Sequence, residues 1–161
     1  MSCVIHTASD EQMEIVRQLF REYEKELDED LCFQGFEEEL AGLPGKYAPP
    51  DGRLLLATSG EKICGCVALR KMSDNVCEMK RLFVRPEFRG SGTGRGLAVA
   101  IIREARAAGY RTMRLDTLQK LQPAIALYHS LGFKTVEPYY HSLLEGTVYM
   151  ELEVGDSSSS L

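Results

Sequence analysis

Four glycines stand at alternate positions, Gly90, Gly92, Gly94 and Gly96, directly before an apolar, helix-patterned run that reaches Ala105. Glycine gives up more backbone freedom on ordering than any other residue, so four of them at a helix start need a reason. The first amides of a helix have no intrahelical acceptor, and the helix dipole favours an anion there. Without a Cβ, main chain can approach phosphate oxygens closely. Arg89 and Arg95 flank the glycines and add positive charge. The stretch therefore predicts a phosphate-binding turn. It is not a P-loop, because Arg95 follows Gly90 by five residues and no G-K-S/T is near. Nor is it a dinucleotide fingerprint. The sixth residue counted from Gly90 is Arg95, the sixth from Gly92 is Leu97, and the preceding strand belongs to a hairpin array.

Around this turn the periodicities predict an ordered series. A short strand covers residues 3–8. A helix with Met13, Val16, Leu19, Phe20, Tyr23 and Leu27 on one face follows, capped by Ser9 or Asp10. Residues 36–43 predict a short second helix. The run "LPGKYAPPDG" is a loop, since its prolines and glycines cannot propagate a helix. "RLLLAT", "KICGCVALRKM" and "VCEMKRLFV" are three antiparallel strands. Then come the glycine turn with its helix to Gly109, a strand over 111–118, a helix closed by Gly132, and two last strands, 133–138 and 146–154. This order predicts an α/β layered domain on one mixed central sheet, spanning 1–154, with 155–161 as a disordered polar tail.

Charge is segregated along the chain. Between Lys80 and Arg114 nine basic residues face only Glu87 and Glu104, whereas the whole chain carries a net charge of −5. A basic glycine-rich segment in an acidic protein suits a compact polyanion better than nucleic acid. The cysteines Cys3, Cys32, Cys64, Cys66 and Cys77 are odd in number and irregularly spaced. They read as buried free thiols, with Cys64 and Cys66 on one strand face, rather than as a metal site. No run is long enough to span a membrane and the amino terminus lacks a secretion signal, so the expectation is a cytoplasmic protein with no metal and no membrane partner.

The motif "R-G-S-G-T-G", Arg89 to Gly94, resembles the R/Q-x-x-G-x-G/A signature of the GNAT superfamily of acyl-CoA-dependent N-acetyltransferases. The frame "L-F-V-R-P-E-F-R-G-S-G-T-G-R-G-L" and the later "A-I-A-L-Y-H-S-L-G-F" fit the same family at its spacing, most closely its small bacterial members. The resemblance implies the GNAT fold, a mostly antiparallel sheet whose fourth and fifth strands splay, with helices on both faces. It implies acetyl-CoA as cosubstrate and direct acetyl transfer to a primary amine of a small molecule or peptide. The runner-up is a module that binds or senses acyl-CoA without turnover. A homodimer is open to a chain of this kind.

Residue by residue, the resemblance puts the pyrophosphate of coenzyme A on the backbone of Arg89, Gly90, Ser91, Gly92, Thr93, Gly94 and Arg95. The pantetheine arm pairs with main chain near Leu82, Phe83 and Val84, where a bulge aims an amide at the thioester carbonyl. Such a donor stabilises the charge that builds on that oxygen. Tyr128 matches the tyrosine that protonates the departing thiolate. Glu78 and Asp116 match two alternative positions for the base that frees the amine. Leu121 stands where many members keep an asparagine, with Gln119 or Gln122 as replacements for its hydrogen bond. The acidic residues Asp28, Glu29, Asp30, Glu37, Glu38 and Glu39 lie where an acceptor wall is expected. They read first as a solvated helix face and second as an attractor for a cationic amine. Tyr139, Tyr140, His141 and Glu145 are a further acceptor or dimer patch.

Overall fold

A computed structural model describes residues 3–27, 35–140, 142 and 144–155. Seven strands form one sheet in the order β1-β2-β3-β4-β5-β7-β6. They are β1 (Val4–Thr7), β2 (Arg53–Ser59), β3 (Lys62–Ser73), β4 (Val76–Val84), β5 (Thr112–Leu118), β6 (Lys134–Val136) and β7 (Thr147–Glu153). The helices are α1 (Met13–Leu27), α2 (Phe36–Ala41), α3 (Thr93–Ala107) and α4 (Gln122–Ser130). Each falls within a residue or two of the span its periodicity predicts. The loop over 43–52 differs: it holds a single 3-10 turn, Gly45–Tyr47, which needs only the bonds from the Tyr47 amide to the Pro44 carbonyl and from the Ala48 amide to the Gly45 carbonyl. That turn buries Tyr47.

Period-two alternation divides the core between two faces. On β2, Leu54 and Leu56 face α1 and α2, packing with Val16, Leu19, Phe20, Phe36 and Leu40. Leu55 and Ala57 face the other way, onto Leu97, Ala98, Ile101 and Ile102 of α3. A fully buried Leu or Phe contributes roughly 1.5–3 kcal/mol, so these two layers hold the sheet between its helices. Helices cover both faces, as the resemblance implies.

Two irregularities in the ladders shape the rest. Gly65 pairs with Ala57 and Ile63 with Thr58, so Cys64 is an extra residue on β3. This bulge corrects an expectation from sequence. Cys64 packs on the α3 face and Cys66 on the α1 face, because an inserted residue inverts the alternation. Cys3, Cys64, Cys66 and Cys77 are free thiols; Cys3 is only partly buried, and Cys32 lies outside the described residues. The second irregularity lies on β4. Cys66 pairs with Phe83 but Ala68 with Lys80, so Arg81 and Leu82 together oppose one residue of β3. Arg81 takes φ +62°, the one positive φ among described non-glycine residues.

The sheet is antiparallel except between β4 and β5. That parallel pair is short: Val76, Cys77 and Glu78 against Thr112, Met113 and Arg114. Beyond it β4 stays with β3 and β5 stays with β7, so the two strands part. The expected splay is therefore present, and it opens where the bulge sits.

Candidate active site

The glycine turn joins β4 to α3. Gly90 and Gly92 take φ +82° and +88°, which L side chains rarely adopt, and open space lies where a Cβ would stand on either. The Gly96 amide bonds the Gly92 carbonyl, the first such bond of α3. Among the described residues, no backbone carbonyl is bonded by the amides from Gly90 to Arg95. A run of bare amides with clear space before it fits a diphosphate. The other two glycines do different work. Gly94 faces Val84, and a Cβ on Gly96 would stand 3.2 Å from the Ile5 Cδ1, so Gly96 lets α3 lie close to β1.

A cleft of about 390 Å³ runs from this turn along the β4 edge to α4. Leu82, Phe83, Val84, Arg89, Gly90, Gly92, Thr93, Gly94 and Tyr128 line it, which gathers most of the residues expected to hold the cofactor. Ser91 and Arg95 do not face it. The Ser91 hydroxyl donates to the Phe88 carbonyl. The Arg95 side chain lies in the groove between β1 and α3 and donates to the Ser130 hydroxyl. Arg89 reaches the cleft but holds Glu26 at 2.6 Å. Leu121 lines the cleft wall, and the Gln122 side chain donates to the Gln119 carbonyl, where it fixes the start of α4.

The cleft continues into the gap between β4 and β5, which shares Tyr23, Leu82, Leu121, Ala124 and Tyr128 with it. Tyr128 is buried, edge-on to Phe133 at 5.7 Å, and its hydroxyl makes no protein hydrogen bond among the described residues. Burial pushes this phenol above its ordinary pKa, and the negative charge of Asp116 adds to the effect, so it stays protonated. Asp116 is half-buried in the same gap and accepts from the Tyr140 hydroxyl. Tyr139, Tyr140 and Tyr149 pack edge to face beside it, with centroids 5.1–5.6 Å apart.

Glu78 sits elsewhere. It borders a separate pocket of about 210 Å³ between β4, the 3-10 turn and the Tyr139–Tyr140 segment. Its carboxylate is buried and fully engaged: Arg70 Nε lies at 2.8 Å, Lys80 Nζ at 3.9 Å, and the Tyr139 hydroxyl donates at 2.8 Å. Burial alone would raise its pKa. The charges of Lys80 and Arg70 and the two hydrogen bonds outweigh that and hold it below the usual carboxylate range.

The basic segment is largely neutralised by the acidic one. Arg81 forms a two-bond pair with Glu39, at 3.0 and 2.9 Å, with both side chains about 95% buried. Arg85 pairs with Glu22, Arg89 with Glu26 and Arg114 with Glu151. Glu37 and Glu38 are exposed, Glu37 in a pair with Arg21, and only Glu39 of the described acidic trio turns inward. Asp28, Glu29, Asp30 and His141 lie outside the described residues, and Glu145 lines none of these cavities. Sequence reasoning did not single out Tyr23, Lys46, Arg70, Lys80 and Arg81 as residues that line these cavities. Tyr23 has the spacing of a core position, and nothing local marks the others as converging.

The family model described as the acetyltransferase (GNAT) family matches residues 12–133. An uncharacterised N-acetyltransferase of Schizosaccharomyces pombe is 46% identical over 140 residues, 86% of each chain. One of Dictyostelium discoideum is 33% identical over 193 residues, covering 82% of this chain and 89% of its own. Among solved structures, the PaiA N-acetyltransferase of Thermoplasma acidophilum in complex with coenzyme A has the same fold. Its TM-score is 0.76 at 21% identity, over 95% of this chain and 99% of that one. The turn, the split sheet and the sequence relatives agree, and the chain belongs to the acetyltransferase (GNAT) family.

Proposed function

We propose that the protein transfers the acetyl group of acetyl-CoA directly to a primary amine. The observation that carries this reading is the continuity of the cleft, from bare amides at Gly90–Gly94, past the β4 edge, to Tyr128 and Asp116 in the strand gap. The amides from Gly90 to Arg95 hold the pyrophosphate. The edge of β4 at Leu82, Phe83 and Val84 takes the pantetheine arm. The bulge at Arg81 and Leu82 takes main chain out of the ladder, the arrangement needed to aim an amide at a thioester oxygen.

An ammonium has no lone pair, so the acceptor must lose a proton before it attacks the thioester carbon. Asp116 is placed in the gap beside Tyr128 and takes that proton, directly or through water. Glu78 is already bound to Arg70, Lys80 and Tyr139, and its lowered pKa makes it a weak base; its part is to organise these groups. As the carbon–sulfur bond breaks, the electron pair goes to sulfur and the Tyr128 hydroxyl donates to the thiolate. Incubation with acetyl-CoA and a panel of amines, with free thiol as the readout, tests this. Thiol release that needs an amine is expected. Tight acetyl-CoA binding with no release for any amine overturns the reading in favour of an acyl-CoA sensor.

A further inference from the structure

Lys46, Arg70, Lys80 and Arg81 converge on the pocket beside Glu78. They come from the 3-10 turn, β3 and β4, far apart in sequence. Glu39 and Glu78 are the carboxylates paired with them, so the cluster keeps an excess of two positive charges. Its cations are incompletely satisfied. Lys80 Nζ, on a side chain 11% exposed, has only Glu78 at 3.9 Å. Lys46 Nζ has Glu39 at 3.6 Å, and its ammonium lies over the Tyr47 ring. Neither ammonium makes a hydrogen bond to protein among the described residues. Arg70 gives Nε to Glu78 and Nη1 to the Lys71 carbonyl. A largely buried ammonium such as that of Lys80 takes an acceptor when one is offered, and the more exposed Lys46 and Arg70 add charge beside it.

The pocket adjoins the reaction cleft. Lys80, Arg81 and Tyr140 line both it and the gap that holds Asp116. From Tyr128 the adjoining cavities thus present Asp116 first and then a pocket that stays net positive with the Glu78 carboxylate counted. A polyamine or aminoglycoside would set positive charge against positive charge there. A molecule with an amine at one end and a carboxylate at the other matches the polarity throughout. Positive surroundings also disfavour an ammonium, which helps the amine lose its proton.

We propose that the acceptor is an amino acid, its amine directed to Asp116 and Tyr128 and its carboxylate held by Lys46, Arg70 and Lys80. The inference rests on the acetyltransferase reading and narrows its substrate class.

The test has two arms. In the first, thiol release is compared for α-, β- and ω-amino acids, for their carboxamides and for a polyamine such as spermidine. Amino acids are expected to turn over, with kcat/KM lower by about tenfold or more in each carboxamide, the scale on which one charged hydrogen bond acts. In the second arm, calorimetry measures binding of N-acetylated amino acids and their carboxamides to the wild type, Lys80→Met and Lys46→Gln. Binding that needs the carboxylate and weakens about tenfold in either variant is expected. Lys46 is half-exposed, so its variant stays folded if Lys80→Met does not. Turnover of spermidine or of carboxamides as fast as amino acids overturns the anionic acceptor and leaves acetyl transfer standing. Carboxylate-dependent binding without thiol release from any amine leaves the cationic pocket standing and overturns the transferase. Equal binding of acid and carboxamide overturns the proposal whatever the turnover.

Discussion

The two ends of the cleft are built by opposite means. At the end proposed for the coenzyme, the available donors come from one continuous stretch, Gly90 to Arg95, and are backbone amides. At the end proposed for the acceptor they are the side chains of Lys46, Arg70 and Lys80, beside Arg81, whose pair with Glu39 crosses 42 residues. An amide needs only a local turn to be presented. A buried cation needs a partner, and that partner arrives from another layer of the fold. The difference teaches that a donor turn is set by local sequence, whereas a cluster of cations is set by the tertiary fold.

The comparison can be broken at three points. The largest effect is expected where the two ends meet. Tyr128→Phe removes the proton donor to the thiolate and should lower kcat by about 10²–10⁴-fold with acetyl-CoA affinity unchanged. Steady-state rates with calorimetry check this, and an unchanged kcat removes Tyr128 from the mechanism. The acceptor end breaks next. Glu39→Gln leaves the buried Arg81 without its counter-charge and should cost about 3–5 kcal/mol in denaturant unfolding, as removing one partner of a buried pair does. Burial favours the neutral form of Glu39, but the hydrogen bonds and charge of Arg81 and then the charge of Lys46 win, so its folded pKa lies below 4.5. Its contribution is therefore full above the unfolded pKa and is lost as the pH falls through the folded value. The gap between wild type and Glu39→Gln should narrow as the pH falls below 4.5, and a gap that is constant with pH would exclude this account. The coenzyme end shows the smallest effect. Gly92→Val forces a branched residue to φ +88°, a strain of about 1–2 kcal/mol, and should weaken acetyl-CoA binding about tenfold with little change in acceptor KM.

Much of this was legible residue by residue. Leu54 to Ala57 alternate on β2 as their apolar run allows, and Gly109 and Gly132 close the helices where expected. The cleft-lining residues Leu82 to Val84, Arg89, Gly90 and Gly92 to Gly94 could be picked out from sequence because their motif is contiguous. Other features depended on partners distant in sequence. The positive stretch from Lys80 to Arg114 looked like bait for an anion, yet Arg81, Arg85, Arg89 and Arg114 hold acidic partners from α1, α2 and β7. Glu39 looked like a solvated helix residue and is buried against Arg81. Cys64 and Cys66 looked coplanar, and a bulge parted them.

By itself the sequence determined the turn, the strands and the helices, because periodicity and glycine chemistry act over a few residues. Only the tertiary structure decided where charge remains unmatched. Electrostatic pairing depends on separation in space, and in this chain the residues that neutralise one another lie up to 63 positions apart.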